Sequence, residues 1–258
     1  MANDEIADLI ARVAATGTED DTGDDAGKSD RHSRQKALVA LIPALTRSAR
    51  SSGLRAVAAG RWLTDLIVEL APRVVVRDAQ ALRRQHPGRT DIEVAERLIR
   101  QATLTTAGIG AAAGGLAAVE FLTPPALLAT PVQLAAEILA VTAVELKLVA
   151  ELHELLGRPA TGTVSERASA YLMSWVRRRA ISPELTGAGL SAVFGAAAKR
   201  ELRSQVLRRL GRSTTSLAPF MAGAVAGAEV NRRATKALGE TLLAELRGLA
   251  EDRWFRQV

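Results

Sequence analysis

Apolar residues return along this chain at three- and four-residue intervals, the spacing that gathers them on one face of an α-helix. Ile6, Leu9, Ile10 and Val13 form the first such face, in a short helix that Asn3 can cap and that runs to Ala14. Leu38, Leu41, Ile42 and Leu45 form a second, in a helix from Arg31 to about Arg50 with Pro43 threatening a kink. A third amphipathic stretch runs from Gly60 to Gln85 with Pro72 inside it, and His86-Pro87-Gly88 ends it.

Two capping boxes then mark helix starts. Thr90 with Glu93 opens a helix that runs through Ile99 into the Ala/Gly-rich segment 104–122, and Thr123-Pro124-Pro125 breaks it. After Pro131 a strongly apolar helix continues to Leu156, with Gly157 placed to cap its C-terminus. Thr163 with Glu166 opens a helix to Arg179, and Ser182-Pro183 opens another that reaches Leu210 before Gly211. One last long helix, or two, spans Ser216 to Arg253. No stretch sustains the two-residue alternation of a strand, so the fold class is all-α. The expected architecture is a bundle of long Ala/Gly-rich helices with glycine-zipper-like packing.

Composition sharpens this picture. Apolar residues make up 48% of the chain but aromatics only 3%, so the core is built from small side chains and requires backbones to approach closely. Cysteine is absent, which removes disulfides, thiolate metal sites and a cysteine nucleophile together. Residues 1–30 hold nine acids against Arg12 and Lys28, a balance of −7, so the remaining residues carry +13 of the overall +6. We read 1–30 as an acidic, largely disordered tail containing the short helix, with 15–30 as its linker, and 31–258 as the helical domain. A basic body attracts anionic lipid or nucleic acid, and an acidic tail can shield it; a solvated surface carries the same charges. Asp4, Glu5 and Asp8 stand where a secretory leader would be basic, so a cytoplasmic location is expected.

The glycines are not scattered. Pro219, Gly223, Gly227, Asn231, Thr235 and Gly239 recur every four residues on one face of the last helix, and Gly110 and Gly114 form a shorter stripe. Glycine inside a helix costs roughly 0.5–1 kcal/mol relative to alanine, a cost that close contact with a neighbouring helix offsets. Such stripes pack helices in lipid and in water alike. The segment 104–117 also echoes 185–198 at an offset of 81, which in so Ala/Gly-rich a chain need not be a duplication. The uncharged run 102–119 approaches spanning length, but its Ala, Gly and Thr drive insertion weakly. Tyr171 and Trp175 precede Arg177, Arg178 and Arg179, and Trp254 and Phe255 lie between Arg253 and Arg256. Aromatics beside arginines suit a lipid headgroup layer; the alternative puts Tyr171 and Trp175 in the core and the arginines in water.

Catalytic patterns are weak. GDDAGKS at 23–29 is one residue short of a phosphate-binding loop, and its aspartates would repel phosphate. His32, His86 and His153 lie on separate segments without metal-ligand spacing, so no metal and no cofactor are expected. Glu120, Glu137 and Glu145 sit in apolar surroundings, where a carboxyl group can serve as acid or base but more often faces water or a basic residue such as Arg200 or Arg203. Arginines spread over several helices, with a single tyrosine and no helix-turn-helix pattern, argue against nucleic acid.

The order of these motifs resembles the EcsC family of bacterial proteins. The Gly-rich helix, proline break and long apolar helix of that family match residues 108–157, and its Pro–Gly–Gly–Asn–Thr–Gly helix matches Pro219 to Gly239. Family members commonly carry Tyr-Gly and an acidic residue after the long helix, where this chain reads Leu155-Leu156-Gly157-Arg158. The resemblance implies a helical, membrane-associated protein without established enzymatic activity, and it supplies no catalytic residues. The leading expectation is therefore a non-enzymatic protein that meets anionic membrane lipid or a membrane protein partner. A soluble helical scaffold or homo-oligomer is the alternative, and an enzyme using buried glutamates comes third.

Overall fold

The computed structural model describes residues 2–15, 24–52, 61–120, 129–179 and 220–255, and these form eight α-helices and no strand. In chain order they are α1 (Ala2–Ala14), α2 (Asp24–Ser52), α3 (Arg61–Leu70), α4 (Ala79–Gln85), α5 (Asp91–Glu120), α6 (Ala129–Leu155), α7 (Val164–Arg179) and α8 (Phe220–Phe255). The all-α fold class holds for every described segment. The linker part 16–23, the helix expected over 182–210, the echo at 185–198 and Pro219 lie outside the described residues.

Local chemistry explains most boundaries. In both capping boxes the carboxylate accepts from the backbone N–H of the threonine at 2.7 Å, and the threonine hydroxyl accepts in return at 3.3 Å. After α6, Gly157 takes φ +70, and the Arg158 N–H donates to the His153 carbonyl at 2.8 Å, closing the helix end in a left-handed turn. Two expectations need correction. The helix of residues 31–50 begins earlier, at Asp24, and so consumes part of the supposed linker. The stretch 60–85 is two helices: Pro72 lacks an N–H and falls in a single 3-10 turn, Ala71–Arg73. An extended segment follows, and Asp78 caps α4 by accepting from the Ala81 N–H at 2.6 Å.

The core forms around α6. Every residue from Ile138 to Leu152 is buried, so this helix is enclosed on all sides. It packs against α1, α2, α3, α4, α5, α7 and α8. The short helix of the acidic segment belongs to this core: Ile6, Leu9, Ile10 and Val13 are buried, while Asp4 and Glu5 pair with Arg73 and Arg47 at the surface. Part of the acidic charge thus answers the basic body directly.

Helices α5 and α8 form the most extensive pair and run antiparallel, with Gly110 against Gly227, Thr106 bonded to Thr235, and Ile99 against Gly239. The two glycine-bearing faces read in the sequence therefore meet each other within one chain at the Gly110–Gly227 contact. A Cβ on Gly110 would lie 2.7 Å from the Gly227 carbonyl oxygen and 2.8 Å from Asn231 Nδ2. A Cβ on Gly239 would lie 2.8 Å from Ile99 Cγ1. Gly114 and Gly223 also lie within α5 and α8.

This geometry separates glycines that share one helix. A Cβ on Gly108 would meet nothing within 4 Å. Gly108→Ala is expected to stabilise the protein by roughly 0.5–1 kcal/mol through helix propensity alone. Gly110→Ala gains the same propensity but must push two backbones apart, and is expected to destabilise by about 1–3 kcal/mol. Urea unfolding of both variants checks the opposite signs.

Candidate functional site

The enclosed helix α6 carries Glu145, Lys147 and Glu151 within its buried stretch, and burying charge requires partners. Glu145 is 0% exposed. Trp175 Nε1 donates to its Oε2 at 2.8 Å, and Arg179 from α7 grips both oxygens, with Nε 2.9 Å from Oε2. From α8, the Thr235 hydroxyl donates to Oε1 at 2.6 Å, and Thr106 of α5 donates to Thr235 at 2.9 Å. One carboxylate thus ties α5, α7 and α8 to α6.

A second carboxylate does the same at the other side. Arg77, from the extended segment before α4, places Nε 2.8 Å and Nη2 2.7 Å from the two oxygens of Glu151. Lys147 lies 3.2 Å from Glu151 and also donates to the Val75 carbonyl at 3.0 Å. Glu137 accepts from Asn231 Nδ2 at 2.8 Å. The stripe residues Asn231 and Thr235 are therefore more than small: they are buried and donate to acids of α6.

The aromatic–arginine segment is placed differently from a surface anchor. Tyr171 and Trp175 are buried in the core, at 4% and 6% exposure, because their polar atoms find acids there. The Tyr171 hydroxyl donates to Glu154 at 2.8 Å and accepts from the Ala160 N–H at 3.0 Å. Burial, together with Glu154, pushes the Tyr171 phenol up to about 12. Arg179 serves Glu145, Arg178 pairs with Glu245 of α8, and Arg177 is exposed. Trp254 and Phe255 fall in the last turn of α8, and their side chains lie outside the described residues, as do those of Glu120, Arg200 and Arg203.

Among the described residues, Glu137 borders only a small cavity, and Glu145 is enclosed by its donors. The cavity beside Glu137, Gln133, Leu38 and Ile42 measures about 10 Å³, enough for a single water. No three His, Asp or Glu side chains among the described residues are grouped to hold a metal.

The larger feature, missed in the sequence, is an open cleft of about 520 Å³ between α6, α7 and α8, lined by His153, Met173, Ser174, Arg177, Arg178 and Glu245. His153 Nδ1 lies 2.7 Å from the Val149 carbonyl, which can only accept, so Nδ1 carries the hydrogen and Nε2 faces the Ser174 hydroxyl at 3.5 Å. Burial holds the His153 pKa below the ordinary imidazole value, and the nearby Arg178 adds to this. The pair does not amount to a nucleophile with its base. Ser174 sits inside α7, where neighbouring amides are spent in helical hydrogen bonds, so α7 itself aims no backbone donors at an oxyanion beside it. The cleft offers cations and a hydroxyl, which suit binding.

In comparisons with known proteins, no family model, no curated protein and no solved structure matches the chain.

Removing Arg179 would strand the Glu145 carboxylate in the core. Arg179→Leu is expected to destabilise the fold by about 3–5 kcal/mol, the cost typical of an uncompensated buried charge. The double change with Glu145→Leu is expected to recover most of that loss, which denaturant unfolding of the two variants measures.

Proposed function

We propose that this chain is a non-enzymatic helical protein that acts by binding through its outer surface, at an anionic membrane or a membrane protein partner. The observation that supports this most directly is where the charges go. The acids of α6 with catalytic potential are occupied by internal donors, whereas the net +13 of residues 31–258 belongs to a body whose described arginines are largely exposed. No helix of the described residues is long and apolar enough to cross a membrane. With Tyr171 and Trp175 in the core, the attraction proposed is electrostatic and peripheral, at about 1 kcal/mol per basic residue near anionic lipid. The EcsC resemblance points to the same kind of role, and family membership stays part of the proposal.

The second reading, a helical scaffold or oligomer, is favoured by the Gly110–Gly227 contact, because the stripes find their partner within one chain and need no lipid. Vesicle flotation separates the two. The membrane reading expects the full-length protein to float with anionic vesicles at low ionic strength, to stay behind with neutral ones, and to be released by salt. A protein that stays behind with both kinds of vesicle, as a monodisperse species, supports the scaffold reading instead.

A further inference from the structure

The cleft between α6, α7 and α8 is lined by two successive arginines of α7. Arg177 is exposed at its rim and makes no hydrogen bond or ion pair with the described residues. Arg178 is held in place by the Ser174 carbonyl and hydroxyl and by Glu245, yet its Nε is buried without a hydrogen-bond partner. The Arg178–Glu245 pair is the part of this arrangement that water reaches, since the carboxylate is half exposed. At about 520 Å³ the cleft falls within the size range of small-ligand sites, roughly 300–1,000 Å³.

We propose that this cleft binds a terminal phosphate group, either as free phosphate or as the monoester headgroup of a lipid. Three donor-bearing side chains line it: Arg177, which is exposed; Arg178, whose Nη2 is released when Glu245 leaves; and Ser174, whose hydroxyl turns from His153 Nε2 to the ligand. Two guanidinium groups and a hydroxyl match a terminal phosphate with three free oxygens better than a planar carboxylate or a diester with two. Glu245 acts as the internal anion that the ligand displaces: its carboxylate pairs with Arg178 but is 47% exposed, so releasing it into water costs little. Met173, half-buried beside Ser174, supplies an apolar contact for whatever carries the phosphate. The proposal deepens the surface-binding reading and rests on it for the lipid source alone.

Calorimetric titration of the full chain with inorganic phosphate tests it. Saturable binding is expected, with Arg177→Ala weakening it roughly tenfold, the worth of one charge-assisted contact. Glu245→Gln is expected to tighten it, because the competing carboxylate is gone; a gain of affinity cannot come from misfolding. Flotation with phosphatidate against phosphatidylglycerol vesicles of equal charge then distinguishes the sources. Preference for phosphatidate assigns the site to a headgroup, and phosphate binding without that preference assigns it to a free phosphate. Absent saturable binding, or binding unchanged in both variants, overturns the site even where anionic vesicles still float the protein. Phosphate binding with no flotation keeps the site and removes the membrane reading.

Discussion

A helix enclosed on every side has to find, among its neighbours, a partner for each charge it carries. Helix α6 is enclosed from Ile138 to Leu152 and includes two carboxylates in that stretch. Leaving either unpaired in a low-dielectric interior would cost several kcal/mol, a large share of a typical folding free energy. Each therefore receives a guanidinium from a different part of the chain, Arg179 from α7 for Glu145 and Arg77 from the extended segment for Glu151. The other donors follow from the same requirement. Trp175 is turned inward by Glu145, and Thr235 fixes the register of α8 against α6. A buried pair of this kind adds little net stability over apolar packing, but it penalises every arrangement in which the partners are apart.

The second constraint is proximity of backbones. A core short of aromatic rings gains contact by bringing helices close, and Gly110 and Gly227 permit that where α5 crosses α8. Around this contact the four-residue stripe changes character along its length. Gly227 yields space, Asn231 and Thr235 donate to acids of α6, and Gly239 accommodates Ile99. Both constraints act on the same face of α8, so its packing and its polar contacts fix one register together.

What could be read from the sequence was what depends on neighbours along the chain. Both capping boxes, the Gly157 helix end and the apolar stretch of α6 are local patterns with local causes. The four-residue spacing of Gly227, Asn231, Thr235 and Gly239 is visible in one helix alone. The meeting of Gly227 with Gly110, and the pairing of Glu145 with Arg179 across 34 positions or Glu151 with Arg77 across 74, depends on the tertiary arrangement and leaves no spacing signal. Tyr171 and Trp175 beside three arginines look the same in sequence whether they face lipid or core. The acids that draw them inward lie one helix away, on α6. The helix start at Asp24 and the split at Pro72 show the opposite failure, in which local signals of flexibility and of amphipathicity were outweighed. The cleft left no trace in the sequence, since its residues come from three helices and none forms a motif.

If α6 and its internally paired charges organise the fold, no part of that helix should open while its neighbours stay folded. Native-state hydrogen exchange resolved by residue measures this, because local openings and whole-molecule unfolding expose different amides. The amides of Ile138 to Leu152 are expected to be the most protected in the protein and to exchange only through global unfolding. Exchange of that stretch through local openings, with α5 and α8 still protected, would contradict an organising role for α6.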